Sequence, residues 1–380
     1  MANCRWASFL DVKMSKLINL AIIGGSCNST IGKTHIKSIK STGKYNICCG
    51  FFSRNKSENY KSGKQYNVPK NKIYHNLSDL IKKEKQYIDI AVVLTPPNAR
   101  YKIFEILSNN NINIISEKPF SGDLNSAKKI FNIIKNKKIF FGTTYNYLGY
   151  PGIMEIKPII KKIGKILNFV FEMPQQSFVY ERSKMKNWRL KDGKIPNLYL
   201  DLASHLLSFT CYFFEEYPKE IKNFSTKHSK FKAVDNCYTW LKFNNFYGSF
   251  WFSKNSSGQR NQLSIRIFGT KGSIKWEHAK PESLIFFDND GNIEVIDRLN
   301  KNSRYINNNQ FYTYAAGHPN GFLDAFINIY LSISKLFLSK KRKRNVPLIL
   351  NLKENFNIMS ILNTMNIASK KNNWIKTFII

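Results

Sequence analysis

A glycine-rich turn is the first feature of this sequence with a defined chemistry. It follows the apolar run from Ile18 to Ile23 and precedes a helical pattern. A dinucleotide-binding turn needs glycine where the chain reverses, small residues beside the pyrophosphate, and glycine where the helix packs on the strand. Gly24 and Gly32 fit the outer roles, although the turn is three residues longer than G-x-G-x-x-G. The candidate cofactor residues here are Gly24, Gly25, Ser26, Asn28, Ile31 and Gly32. An ordinary glycine-rich loop is the alternative, because Ser26 and Asn28 stand where glycine would be easier.

The end of the second predicted strand bears on which nicotinamide cofactor binds. An acidic residue there binds the ribose 2′-hydroxyl of NAD, whereas a basic residue accepts the 2′-phosphate of NADP. The strand ends in Ser53 and Arg54, and the first carboxylate after it is Glu58. This favours NADP, with Ser53 and Arg54 as cofactor residues. An arginine is also common by chance in a chain of net charge +34, so NAD stays open.

Two further segments lie at the carboxyl ends of predicted parallel strands, where ligands bind in open α/β sheets. The first is Thr95-Pro96-Pro97-Asn98, and the second is Ser116-Glu117-Lys118-Pro119. The candidate cofactor residues from these loops are Thr95, Pro96, Asn98, Glu117 and Lys118.

These motifs together resemble the Gfo/Idh/MocA family of NAD(P)-dependent oxidoreductases. The resemblance rests on the glycine turn, the two loops and Asp201-Leu-Ala-Ser-His205, in this order and spacing. It extends from about Ile18 to Trp374 and includes three further segments: Tyr145 to Pro151, Trp188-Arg189 and Gly317 to Phe322.

The resemblance implies roles for individual residues. Lys118 would lie between the nicotinamide and the substrate, and Pro119 would follow a cis bond. Asp201 and His205 match the family's Asp-x-x-x-His pattern, and their i, i+4 spacing puts both on one helix face. The residues implied to line the substrate pocket are Asn146, Tyr147, Trp188, Arg189 and His318. For the aromatic residues, simple core packing is an equal alternative.

Proton chemistry distinguishes the three catalytic candidates Lys118, Asp201 and His205. Oxidising a carbinol by hydride transfer requires removal of the hydroxyl proton by a base whose pKa is near the working pH. Lysine would need its pKa lowered by roughly 3 units, whereas histidine needs almost no shift. We therefore expect His205 to exchange the proton, Asp201 to orient it or hold a substrate hydroxyl, and Lys118 to assist by charge and hydrogen bonding. For His35, beside the turn, packing or helix capping is the expected role.

The elements around these residues predict an α/β chain with two domains. Short β-branched runs alternate with helical stretches from residue 15 to residue 146, which predicts a Rossmann dinucleotide-binding domain. From residue 147 to residue 380 we expect an α+β domain with a large, mainly antiparallel sheet, for substrate binding and oligomerisation. The strands predicted in the first part are Ile18 to Ile23, Tyr45 to Phe52, Ile88 to Leu94, Ile112 to Ser116 and Lys138 to Thr143.

Composition limits the classes of function. Of the 380 residues, 43% are hydrophobic, which is enough for packed cores and argues against disorder. The six cysteines form no C-x-x-C pair, so we expect reduced thiols and no metal site. We expect a cytoplasmic homo-oligomer, dimer or tetramer, that binds no membrane and no specific nucleic acid. The net charge and the basic run from Lys340 to Arg344 favour such a polyanion partner, but a run of this kind is most often a solvated helix terminus.

The expected function is hydride transfer between NAD(P) and a carbinol or carbonyl of a sugar, nucleotide sugar or inositol-like polyol. A catalytically inactive dinucleotide-binding regulator or sensor of the same fold is the alternative, because the glycine turn diverges. The set of Lys118, Asp201 and His205 argues against a regulator, since binding alone needs no proton transfer.

Overall fold

A computed structural model describes residues 16–179, 190–339 and 347–380 of the chain. Trp188, Arg189 and the basic run at 340–344 lie outside the described residues, so the predictions made for them have no structural counterpart.

The first half of the chain supplies five of the six strands of a sheet, and the sixth, β14, is Ile349–Leu350. The strand order is β14-β5-β4-β3-β1-β2. The first five strands in sequence are mutually parallel. They are β1 Ile18–Gly24, β2 Tyr45–Phe51, β3 Ile90–Leu94, β4 Asn113–Glu117 and β5 Phe141–Thr144. Every residue of β3 is buried, as expected of a strand with helices on both faces.

Helices connect these strands and begin at side-chain caps. They are α1 Thr30–Ser41, α2 Lys56–Gln65, α3 Leu77–Glu84, α4 Arg100–Asn109 and α5 Leu124–Ile134. Ser29, Asn55, Asn76 and Asp123 each accept a hydrogen bond from a backbone N–H in the first turn of the helix that follows. The Rossmann architecture predicted from the alternating pattern is therefore confirmed.

The second half is dominated by a nine-stranded sheet in the order β13-β12-β11-β10-β6-β9-β8-β7-β15. All neighbouring pairs are antiparallel except β6 and β9, which run parallel. The strands are β6 Ile166–Pro174, β7 Glu220–Thr226, β8 Asn236–Lys242, β9 Tyr247–Ser253, β10 Ser264–Gly269, β11 Gly272–Glu277, β12 Leu284–Asp288, β13 Ile293–Ile296 and β15 Ile375–Lys376. This confirms the predicted mainly antiparallel sheet.

The two faces of the nine-stranded sheet differ. One face is buried under helices and carries packed aromatic side chains such as Phe169, Phe171 and Phe250. The other face leaves large apolar side chains open, among them Phe224, Tyr238, Trp240 and Tyr247, which are 42–56% exposed. The helices of this half are α6 Pro151–Ile159, α7 Ser204–Phe214, α8 Phe322–Leu338 and α9 Leu352–Lys371.

The C-terminal part returns to the first sheet, which the sequence pattern did not indicate. Strand β14, Ile349–Leu350, pairs antiparallel with β5. Helix α8 contacts strand β2. The hydroxyl of Tyr45 in β2 donates to the carbonyl oxygen of Tyr330 in α8 at 2.6 Å. The domain boundary at residue 146 stays a prediction, but the first sheet draws on residues from both sides of it.

A wide helical turn precedes α7. Residues Tyr199–Ala203 form a π-helical turn that continues into α7, so the helix expected to carry Asp201 and His205 begins irregularly. Such turns often occur at functional sites because they redirect side chains.

In the described residues no helix combines the length and apolarity needed to cross a membrane. Cys27, Cys49, Cys211 and Cys237 are free and buried, whereas Cys48 is free and half-buried.

Candidate active site

The glycine turn has the backbone geometry that close approach of a ligand requires. Gly24 and Gly25 adopt φ angles of 81° and 69°, which other residues rarely reach. A Cβ atom on Gly32 would lie 2.6 Å from the Gly25 Cα atom, so helix α1 packs directly on the turn. The N-terminal end of α1 therefore faces the turn with little side-chain bulk around it, which suits a pyrophosphate.

A carboxylate reaches back to this turn. Glu58, in the first turn of α2, accepts hydrogen bonds from Ser26 Oγ at 2.6 Å and Asn28 Nδ2 at 2.9 Å. Its second oxygen accepts from Ser53 Oγ at 2.9 Å. Asn55 caps α2 by accepting from the Glu58 backbone N–H, which turns this helix start towards the end of β2. Sequence reasoning set Glu58 aside as too far along the chain, and its helix-start position was the available signal.

The other predicted cofactor residues occupy neighbouring positions. Arg54, Pro96 and Asn98 are exposed, and Ile31 and Thr95 are half-buried. The Thr95 hydroxyl oxygen is buried without a hydrogen-bond partner among the described residues. A polar atom in that condition at the end of β3 fits a site whose ligand completes the hydrogen bonding.

Arg100 is a buried residue that the sequence analysis missed. Its guanidinium donates twice to the Thr95 carbonyl oxygen, at 3.0 and 2.7 Å, and also to the carbonyl oxygens of Glu117 and Pro119. Burial lowers the pKa of Arg100 to about 10, so the group is still charged at neutral pH. Arg100 thereby ties the loop after β3 to the loop after β4, which contains a cis bond between Lys118 and Pro119.

Lys118 and Asp201 meet across the cleft between the two sheets. The Lys118 ammonium donates to Asp201 Oδ1 at 2.9 Å and to the Asp201 carbonyl oxygen at 2.8 Å. The second carboxylate oxygen of Asp201 lies 2.7 Å from Nζ of Lys254, a lysine directly after β9. Sequence analysis did not select Lys254, because one lysine after a strand is unremarkable in a chain this rich in lysine.

His205 lies in the same cleft and is buried, with 4% of its surface exposed. Burial, together with the positive charge of Lys118, holds the pKa of His205 well below its usual 6.5. The imidazole is therefore neutral near pH 7 and able to accept a proton. Its Nδ1 atom has no hydrogen-bond partner among the described residues. Asp201, which was expected to orient His205 or to hold a substrate hydroxyl, holds Lys118 and Lys254.

Aromatic and polar side chains form a wall beside His205. The Tyr147 ring lies 4.9 Å from the His205 ring and 5.3 Å from the His278 ring, measured between centroids. Asn261 Nδ2 donates to the Tyr147 hydroxyl at 2.7 Å. Burial raises the pKa of Tyr147 to about 12, so its hydroxyl remains protonated and can donate. Sequence reasoning selected Tyr147 but missed His278 and Asn261.

The remaining predicted pocket and turn residues differ in placement. Asn146 is buried, and its Nδ2 atom has no partner in the described residues. His318 is exposed on a loop before α8, where its carbonyl oxygen accepts from Arg298 at 3.2 Å. His35 is buried between helix α8 and strand β4: its Nδ1 lies 2.7 Å from the Tyr330 hydroxyl, and its Nε2 lies 3.4 Å from Oε1 of Glu117.

The Rossmann fold, with its glycine turn at the carboxyl edge of the parallel sheet, defines a class: a dinucleotide-binding oxidoreductase, here with Lys118, Asp201 and His205 in the cleft between its two sheets. Comparison with known proteins gives the family. The NAD-binding Rossmann-fold model of the oxidoreductase family matches residues 18–145, and the Gfo/Idh/MocA C-terminal domain model matches residues 155–275. The chain therefore belongs to the Gfo/Idh/MocA family of oxidoreductases.

A curated relative and two solved structures are similar to this chain over most of its length. The oxidoreductase YfiI of Bacillus subtilis is 23% identical over 353 residues, 87% of this chain and 88% of YfiI. An inositol dehydrogenase homolog from Azotobacter vinelandii, complexed with NADH and myo-inositol, has a TM-score of 0.86 at 20% identity and covers 95% of this chain and 98% of its own. Levoglucosan dehydrogenase with NADH and levoglucosan has a TM-score of 0.81 at 16% identity, with 95% of this chain and 99% of its own covered.

Proposed function

We propose that this oxidoreductase transfers a hydride between a nicotinamide dinucleotide and a CH–OH group of a sugar, nucleotide sugar or inositol-like polyol. The observation that supports it most is the cluster of Lys118, Asp201 and buried His205 in the cleft between the two sheets, where burial lowers the pKa of His205. Similarity to the inositol and levoglucosan dehydrogenases supports a polyhydroxylated substrate.

The side chains of the cleft have separate tasks in this proposal. The bound cofactor supplies the hydride acceptor. His205 takes the proton from the substrate hydroxyl, which leaves the oxygen ready to form a carbonyl as the hydride departs. The Lys118 ammonium has three N–H groups and uses two on Asp201, so the third can donate to the substrate oxygen. In the reverse direction His205 returns the proton.

The direct test is oxidation of myo-inositol, levoglucosan and a wider panel of sugars, followed by NADH or NADPH absorbance. We expect steady reduction of the cofactor with at least one of them. Binding of the dinucleotide without turnover of any polyol would favour the alternative, an inactive regulator or sensor of the same fold.

We further propose that the cofactor is NAD rather than the NADP that the sequence favoured. Glu58 lies against Ser26, Asn28 and Ser53, at the end of β2 where the ribose 2′-substituent of a dinucleotide is recognised. A carboxylate there can accept from the 2′-hydroxyl of NAD and repels the 2′-phosphate of NADP. Arg54, the residue on which the NADP interpretation depends, is exposed.

Glu58→Gln should therefore reduce the preference for NADH over NADPH by about tenfold or more, the equivalent of about 1.4 kcal/mol of lost repulsion. Fluorescence titration of both cofactors measures the ratio without any substrate. Glu105→Gln, which removes a carboxylate bound to Tyr101 on α4, is the matched control and should leave the ratio unchanged. If wild-type protein binds NADPH more tightly and Arg54→Ala abolishes that advantage, the NADP interpretation holds instead.

We also propose that the open face of the nine-stranded sheet makes a homo-oligomer, dimer or tetramer. Contiguous exposed apolar side chains on one face, among them Phe224, Tyr238 and Trp240, are typical of a covered surface. Light scattering at micromolar concentration should give at least twice the mass of one chain, and Phe224→Glu with Trp240→Glu should lower it. A wild-type mass of one chain would contradict the proposal. The cytoplasmic location stays a prediction.

A further inference from the structure

Lys254 is a buried cation for which the proposed reaction has no direct use. Its side chain is 3% exposed, and its Nζ lies 2.7 Å from Oδ2 of Asp201. The same Nζ lies 5.3 Å from the centre of the Phe178 ring, a distance at which a cation is attracted to the ring face. An ammonium removed from water to this degree is tolerated only where a partner compensates the charge.

The backbone at Lys254 holds the base of this side chain in place. Its N–H donates to the Asp235 carbonyl oxygen at 2.8 Å, and its carbonyl oxygen accepts from the Phe178 N–H at 2.7 Å. Ser253 Oγ also donates to the Asp235 carbonyl oxygen, at 3.1 Å. The ammonium is thus attached to a fixed part of the nine-stranded sheet.

Asp201 lies outside the sheet, in the π-helical turn before α7. One carboxylate oxygen binds Lys118 from the parallel sheet, and the other binds Lys254 from the antiparallel sheet. With its second oxygen held, the carboxylate cannot rotate about its terminal torsion without losing one of the two lysines. The direction of the Lys118 ammonium therefore depends on both contacts of Asp201.

We propose that Lys254 is a positioning residue for the reaction. It fixes Oδ2 of Asp201, which fixes Oδ1, and Oδ1 together with the Asp201 carbonyl oxygen directs the third N–H of Lys118 towards the substrate oxygen. This rests on the proposed dehydrogenase function, but the effect on Asp201 and Lys118 is measurable without turnover.

A crystal structure of Lys254→Met with NADH tests the positioning directly. We expect the Asp201 carboxylate to turn and the contact between Lys118 Nζ and Asp201 Oδ1 to exceed hydrogen-bond distance. If both side chains stay where they are in the wild type, the proposal is overturned. Should Lys254→Met fail to fold, Lys254→Leu, which likewise carries no donor for Asp201 Oδ2, is examined in the same way.

Kinetics separates positioning from a merely structural role. With myo-inositol or levoglucosan as the probe, Lys254→Met should lower kcat by about ten- to a hundredfold, the range expected for small misplacement of a reacting group, while the NADH dissociation constant is unchanged. In the background of Asp201→Asn the same substitution should cost nothing further. Full additivity of the two losses would overturn the proposal.

Lys72→Met is the matched control, since Lys72 also pairs at 2.7 Å with a buried carboxylate, that of Glu84. It should lower the melting temperature and leave kcat unchanged. If the wild type oxidises no polyol, the proposed function fails, and the crystal structure of Lys254→Met still decides whether Lys254 positions Asp201.

Discussion

His205→Ala should lower kcat for polyol oxidation by about 10²- to 10⁴-fold, the usual contribution of a positioned general base. The imidazole of His205 is neutral and can accept the hydroxyl proton, since burial and Lys118 hold the pKa of His205 well below 6.5. The loss should fall on kcat and kcat/KM together, because the interaction develops in the transition state. NADH binding should be nearly unchanged.

The oxidation rate should also depend on pH in a way that identifies His205 as the base. A histidine whose pKa is depressed remains a base below pH 6.5, so wild-type oxidation should decline only as pH falls below that value. The residual activity of His205→Ala should lack this acid limb. His75→Ala is the control, because His75 is an exposed histidine in the segment between α2 and α3. Near-normal turnover of His205→Ala from pH 6 to pH 9 would contradict the assignment and give proton transfer to Lys118.

Lys118→Met should cost at least as much turnover as His205→Ala, about 10²-fold or more. The ammonium holds Asp201, and its charge contributes to the low pKa of His205. Its loss should therefore also raise the pH at which the acid limb appears, because the neighbouring imidazole then binds a proton more readily. NADH binding should weaken too, since Lys118 lies in the loop after β4, at the cofactor edge of the sheet.

The double variant Lys118→Met with His205→Ala should lose less than the product of the two single losses, because groups that act as a unit are not additive. Stopped-flow measurement of NADH formation gives all three rates. Lys157→Met removes a lysine from an ion pair with the exposed Glu215, outside the cleft, and should change none of them. Strictly multiplicative losses would show that the two groups act independently.

The parallel sheet was predictable because its strands are nearly continuous apolar runs, as in Ile90–Leu94, bounded by turn residues. The helix starts were predictable from caps such as Asn55 and Asp123. Strand β14 was not, because two residues carry no periodicity and the partner strand β5 lies about 200 residues earlier in the chain.

That Lys118, Asp201 and His205 share one cleft was predictable, because their order along the chain carries the signal. Their catalytic roles stay predictions. Contacts between distant segments were not accessible in the same way. Glu58 returns to the glycine turn through the direction of α2, and Lys254 reaches Asp201 through the register of β9 with its neighbours. Neither contact has a local sequence pattern. In a chain this rich in basic residues, the presence of a lysine does not indicate a site.

The return of the chain to the parallel sheet determines which fragments of this protein can fold without an exposed strand edge. Ile349 and Leu350 pair with Thr144 and Thr143, so they cover the edge of β5. A fragment ending near residue 146 would expose that edge as a row of unpaired N–H and C=O groups, which is a template for strand addition by another copy. The cofactor half is therefore not a transplantable module, and a chimaera that exchanges it must carry the segment around residues 349–350 along with the first 146 residues.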